Sequence, residues 1–170
     1  MVDRITGSRG HTLVELLVMF GIVAVISAAA VPTFSNLLLD SRMNAAVTTS
    51  LHAVNLARQF SATRGEIIRL CGSDDQQACS GREDWTSGLL LSDDGEALRR
   101  SLPLAGGSGV PRVHSNRATV MFTGGSGFAS PATVTVCDRR GARAARAVII
   151  SRSGRPRVSE RDASEGPLTC

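Results

Sequence analysis

The 170-residue chain has no Lys and no Tyr, a single Trp, and aromatic residues at only 4%. All nineteen cations are therefore Arg. With Ala and Gly abundant, the missing Lys fits a G+C-rich coding bias, so where the Arg sit says more than how many there are. The seventeen Gly lack the strict period of collagen, and there is no internal repeat. None of the four Cys forms a CxxC pair, which argues against a structural zinc site. His52 and His114 lack a nucleophile setting, which argues against an enzyme, and nothing calls for a metal or a cofactor. Apolar residues at 42% and charged residues at 20% exclude both a wholly disordered chain and a polytopic membrane protein. The length suits one domain with at most an appendage.

The N-terminus holds a single long apolar run. Residues 1–10 are short and polar, carry Arg4 and Arg9, and end in Gly10. Residues 13–31 are apolar except for Glu15, Gly21 and Ser27, and as a helix they rise about 28 Å, close to a bilayer's hydrocarbon core. The leading arginines favour a cytoplasmic start, with the remainder outside. Ala28-Ala29-Ala30 imitates a secretory cleavage site, but a Gly precedes this run and a carboxylate sits just inside it. A lone ionised Glu in hydrocarbon is expensive unless it is partnered or functional.

The stretch Gly10-His11-Thr12-Leu13-Val14-Glu15-Leu16-Leu17-Val18 resembles the cleavage and methylation motif of type IV pilins and type II secretion pseudopilins. The resemblance implies that residues 1–10 are a prepilin leader. A prepilin peptidase would cut after Gly10, and the new amine at His11 would be methylated. His11 departs from the usual Phe or Met. Residues 11–32 would be a transmembrane and filament-core helix bent near Pro32. The Glu15 carboxylate would pair with the amine of a neighbouring subunit and set register, because a charge pair is strong in low dielectric. The protein would sit in the inner membrane with a periplasmic head and then join a pilus at the cell surface.

From residue 33 to about 64 the pattern is amphipathic. Met43, Val47, Leu51, Val54, Ala57 and Phe60 recur at helical spacing, and Gly65 is a plausible stop. A helix over residues 12–63 would be about 78 Å long. The stripe is too short to favour a coiled coil over packing on a head. Beyond Gly65 come short apolar runs at 66–71, 88–92, 118–122, 133–137 and 147–151, punctuated by Gly, Ser, Asp and Pro. They read as strands of an antiparallel sheet or sandwich in a head over 65–170. Residues 103–116 read as a long loop. The expected fold is thus α+β, a long N-terminal helix packed on a β-rich head.

Four cysteines allow three pairings, and outside the cytoplasm they should be oxidised. Cys71 and Cys79 bracket a polar turn and form the local pair; Cys137 and Cys170 then staple the C-terminus to a strand. The segments 70–79, 84–95 and 133–157 are similar to the head of the FimT/GspH family of minor pilins and pseudopilins.

Charge is concentrated late in the chain. Residues 137–161 hold eight Arg against two acids, whereas residues 11–136 hold nine Arg against ten acids. Strands at 133–137 and 147–151 suggest a hairpin whose tip carries Arg139, Arg140 and Arg143. Gly154-Arg155-Pro156-Arg157 then enters a polar tail, and in an extended chain Arg155 and Arg157 point the same way, about 7 Å apart. Residues 154–157 resemble the GRxR motif by which the FimT branch binds DNA in natural transformation. The resemblance implies DNA contacts from Arg155 and Arg157 with Gly154, supported by Arg152, Arg143 and Arg146. With few aromatics, binding should be led by phosphates, salt-sensitive and independent of sequence. The alternative is a GspH-like pseudopilin of type II secretion or a purely structural minor pilin. Other pilins are partners under either reading.

Overall fold

The computed structural model describes residues 12–95, 97–104 and 110–170, without the side chains of residues 29 and 31–33. The leader, Gly10 and His11 lie outside the described residues. Two compact units divide the chain; the first ends at Leu38 and the second is Leu39–Cys170.

Helix α1 runs Leu13–Arg64 as one element. At its start Thr12 and Glu15 form a reciprocal cap. The Glu15 backbone N–H donates to Thr12 Oγ1 at 3.3 Å, and the Thr12 N–H donates to Glu15 Oε2 at 3.1 Å. The carboxylate expected to await a neighbouring subunit thus also serves its own helix. Side chains of the first unit such as Leu13, Phe20 and Val25 are exposed. Among the described residues, no helix is long and apolar enough to cross a membrane. The expected span over 11–32 includes His11 and the side chains of residues 29, 31 and 32, which lie outside the described ones, as does the Pro32 side chain behind the expected bend.

In the second unit the helical stripe behaves as its spacing predicts. Met43, Val47, Val54 and Ala57 are buried, with Leu51 and Phe60 packed at the margin. Ser50 is buried within the same stripe and donates to the Ala46 carbonyl at 2.9 Å, so its hydroxyl is satisfied. Gly65, at φ +71°, ends the helix, and its N–H donates to the Ser61 carbonyl.

The head contains two four-stranded antiparallel sheets. Strands β1 (Ile68–Gly72), β2 (Gly88–Asp93), β3 (Leu98–Pro103) and β5 (Thr119–Phe122) form the first, in the order β3-β2-β1-β5. Strands β4 (Arg112–Ser115), β6 (Ala132–Cys137), β7 (Arg146–Ile150) and β8 (Pro156–Ser159) form the second, in the order β4-β6-β7-β8. One hydrophobic core joins the helix to both sheets through Ile68, Leu89, Leu91, Val120, Phe122, Val134, Val148, Ile150 and Trp85.

Both disulfides form as the local spacing suggested, Cys71–Cys79 and Cys137–Cys170. Each ties a segment over the outer face of a sheet. The loop closed by Cys71–Cys79 borders Leu90, and the tail held by Cys170 lays Leu168 against Ala147 and Ile149. This explains why β2 and β7 are near-continuous apolar runs rather than alternating ones, whereas β6 alternates Thr with apolar residues.

Three strands depart from expectation. β4 lies inside the stretch expected to be loop, β8 lies in the stretch expected to be a polar tail, and β3 has no counterpart among the expected runs. All three are edge strands. Their sequences, LRRSLP, RVHS and PRVS, are rich in Arg and Pro, as edges are when they resist pairing with other chains.

Candidate nucleic-acid interface

The C-terminal arginines occupy the two ends of strand β7. Arg146 and Ile150 lie four residues apart, about 13 Å along the strand, so the sequence cluster is split in space. At one end is the β6–β7 tip, residues 138–145; at the other is the β7–β8 turn, residues 151–155.

The tip is an ordered polar turn. Asp138 Oδ1 accepts from the Arg140 backbone N–H at 2.8 Å, and Gly141 at φ +75° opens a short 3-10 turn, Gly141–Arg143. Arg140 donates to Asp138 Oδ2 at 2.7 Å and to Asp40 Oδ1 on α1 at 2.7 Å. Burial works to raise the Asp138 carboxyl, but hydrogen bonds from the Arg140 side chain and backbone, with the charges of Arg140 and Arg139, outweigh it and hold its pKa below the ordinary 3.8. Arg140 is raised further above its ordinary value, first by the Asp138 bond and then by the Asp40 bond. It is therefore committed to the fold. Arg139 and Arg143 are exposed at this end, without a hydrogen bond or ion pair among the described residues.

The β7–β8 turn is built differently. The Gly154 N–H donates to the Ser151 carbonyl at 2.9 Å, and the Ser151 N–H donates to the Arg155 carbonyl at 3.1 Å. With Gly154 at φ +72°, this is a tight turn closed by a glycine bulge. The Arg155 N–H donates to Ser151 Oγ at 3.2 Å, and the Arg152 carbonyl accepts from the Ala129 N–H at 2.9 Å. Gly154 itself is buried; a Cβ there would lie 2.2 Å from the Gly127 carbonyl oxygen. Its place in the GRxR stretch is thus to shape the turn and seat it on the neighbouring loop. Arg152 and Arg155 project from this frame, exposed and without a hydrogen bond or ion pair from their side chains among the described residues.

Arg157 lies in β8 opposite Ile149 and faces Glu165 at 3.5 Å, with both side chains more than half exposed. Such a pair contributes little and is readily exchanged. Arg146 is at the far end, held by the Ala145 carbonyl at 3.1 Å and by Glu160 at 3.2 Å. The structure thus brings Arg152 and Arg155 together with Arg157 close in sequence, and separates Arg143 and Arg146 from them.

One residue beyond the expected set joins the turn. The half-buried Arg58 side chain of α1 lies against it; a Cβ on Gly154 would be 3.3 Å from Arg58 Cδ. No sequence signal pairs a residue of the helix with a turn ninety-odd positions later. Among the described residues, no group of three or more His, Cys, Asp or Glu is arranged to hold a metal ion.

The Type II transport protein GspH family matches residues 46–154. Two crystal forms of the type IV minor pilin FimU from Pseudomonas aeruginosa PAO1 share the fold at 19% identity. One has a TM-score of 0.55 over 75% of this chain and 98% of that one. The other has a TM-score of 0.54 over 82% and 99%. No curated protein matches the chain. With most of the head inside the family's matched region and a helix-on-sheet architecture shared with FimU, the chain belongs to the GspH family of minor pilins and pseudopilins.

Proposed function

We propose that this chain is a minor type IV pilin that binds extracellular DNA through its β7–β8 turn during DNA uptake. The observation that carries the reading is the hydrogen-bonded turn over residues 151–155, which presents the Arg152 and Arg155 side chains without partners among the described residues and close in sequence to Arg157. Guanidinium groups fork onto phosphate oxygens, and a turn already ordered spends little entropy on binding. Contact is with phosphates, so affinity is independent of sequence and falls steeply with salt.

The same reading assigns the rest of the chain. Cleavage after Gly10 and methylation at His11 mature the protein, the exposed apolar side chains from Leu13 onward enter the inner membrane and then the filament core, and Glu15 pairs with the amine of the next pilin. A second reading is favoured by the family's own description: a pseudopilin of type II secretion with no nucleic-acid role.

Binding of the full chain in nonionic detergent to a fluorescent duplex separates the two. Micromolar affinity should fall about 100-fold between about 50 and about 200 mM salt, the behaviour of roughly four phosphate contacts. Arg155→Ala/Arg157→Ala should weaken it about tenfold. Unchanged binding in the double variant sinks the assignment to this turn, and no binding at low salt favours the pseudopilin.

A further inference from the structure

The loop that supports the β7–β8 turn carries an aromatic residue that the hydrophobic core does not use. Phe128 is 54% exposed, although Phe122 a few residues earlier is fully buried. The loop holding it, residues 123–128, is fixed on both sides. The Thr123 N–H donates to the Phe128 carbonyl at 2.7 Å, and the Gly127 N–H donates to the Thr123 carbonyl at 3.1 Å. The Gly125 N–H donates to the Ser61 carbonyl at the end of α1 at 2.8 Å. On the other side Gly127 meets Gly154 backbone to backbone, and Ala129, the next residue after Phe128, donates to the Arg152 carbonyl. The loop that carries Phe128 is thus fixed against the turn that bears Arg152 and Arg155 and against the Arg58 side chain, and no acidic side chain pairs with these three arginines among the described residues.

Exposing a phenyl ring costs hydrophobic stabilisation that a polar residue on this loop would not forfeit. Cations that follow a phosphate backbone, together with an aromatic face on which a base stacks, make up the general recognition of single-stranded nucleic acid. A duplex keeps its bases stacked and offers this ring nothing. We infer that Phe128 stacks on an unpaired base, so that the site takes single-stranded DNA or a frayed strand end in preference to duplex. This rests on the DNA reading of the β7–β8 turn and names the form of DNA that the turn prefers.

The test uses the full chain in detergent with three labelled probes of equal length: oligothymidylate, a strand of abasic sites, and a duplex. Wild type should bind oligothymidylate about tenfold tighter than the abasic strand, within the range that base–aromatic stacking supplies. Phe128→Ala should abolish that preference while leaving abasic and duplex binding in place, and Phe128→Trp should restore it. Equal wild-type affinity for oligothymidylate and the abasic strand overturns the inference, as does a preference that persists in Phe128→Ala or a uniform loss on all three probes. In each of these cases Arg155→Ala/Arg157→Ala still reports separately on the turn. Failure of wild type to bind any probe overturns this inference and the DNA reading together.

Discussion

The two ends of strand β7 carry similar sequences and do different work. The tip over residues 138–145 and the turn over 151–155 each have a left-handed glycine, Gly141 or Gly154, and each is rich in Arg. At the tip a buried carboxylate, Asp138, captures Arg140 and ties the turn to Asp40 of the helix. In the turn no acid is present, and the order comes from Ser151, Gly154 and the Gly127 contact instead. An arginine count does not distinguish these cases. What distinguishes them is whether the neighbouring acid lies within reach, because a partnered guanidinium holds the fold while an unpartnered one remains open to a ligand.

The glycines break the comparison most sharply. Gly154→Ala should cost roughly 3 kcal/mol or more, since it adds a Cβ at positive φ and drives it into a backbone oxygen. Gly141→Ala has nothing within 4 Å and should cost only about 1 kcal/mol of left-handed strain. Urea midpoints of the two variants measure the difference; equal midpoints would deny the contact with Gly127.

Asp138→Asn tests the other end. Losing the charge that Arg140 bonds should cost about 2 kcal/mol at neutral pH. The carboxyl's pKa is depressed in the folded chain, so its stabilisation is present above about 3.8 and is lost as pH falls through the lower folded value. The stability gap between wild type and Asp138→Asn should therefore be full at pH 6 and should close progressively below pH 4. A gap that is unchanged at acid pH would remove the charge from the explanation.

Smaller effects should appear in DNA affinity. Arg152→Ala/Arg155→Ala should weaken binding about tenfold, and Arg139→Ala/Arg143→Ala only about twofold, with matching changes in the salt slope. Equal losses would mean that both ends of β7 bind. The smallest change is expected for Glu165→Gln, which frees Arg157 from an exposed pair and should raise affinity by less than about twofold.

The head's central strands were readable because burial writes itself into the sequence. The runs around Leu90 and Val148 are apolar because both of their faces are covered, while those around Leu70 and Val134 keep their apolar residues on the buried face. Three of the four edges were not readable, because β3, β4 and β8 carry Arg, His and Pro that resemble loop, whereas the edge strand β5 keeps the buried Val120 and Phe122 and matches an expected run. The Thr12–Glu15 cap matched a recognisable spacing but was hidden by the larger role expected of Glu15. Gly154 belongs to a recognisable motif, but its work in the turn depends on Gly127, a residue that no local pattern connects to it.

By itself the sequence determined the long helix, its stop at Gly65 and the late concentration of arginine, and it pointed to Cys71–Cys79 as the local cysteine pair. Each of these follows from local periodicity, local spacing or composition. Tertiary structure alone decided which arginines are available. That choice depends on contacts between distant segments: Asp40 with Arg140, Gly127 with Gly154, and Arg58 brought from the helix to a turn in the last sheet. Electrostatic partnership acts over a few ångströms in space, and sequence distance does not record it.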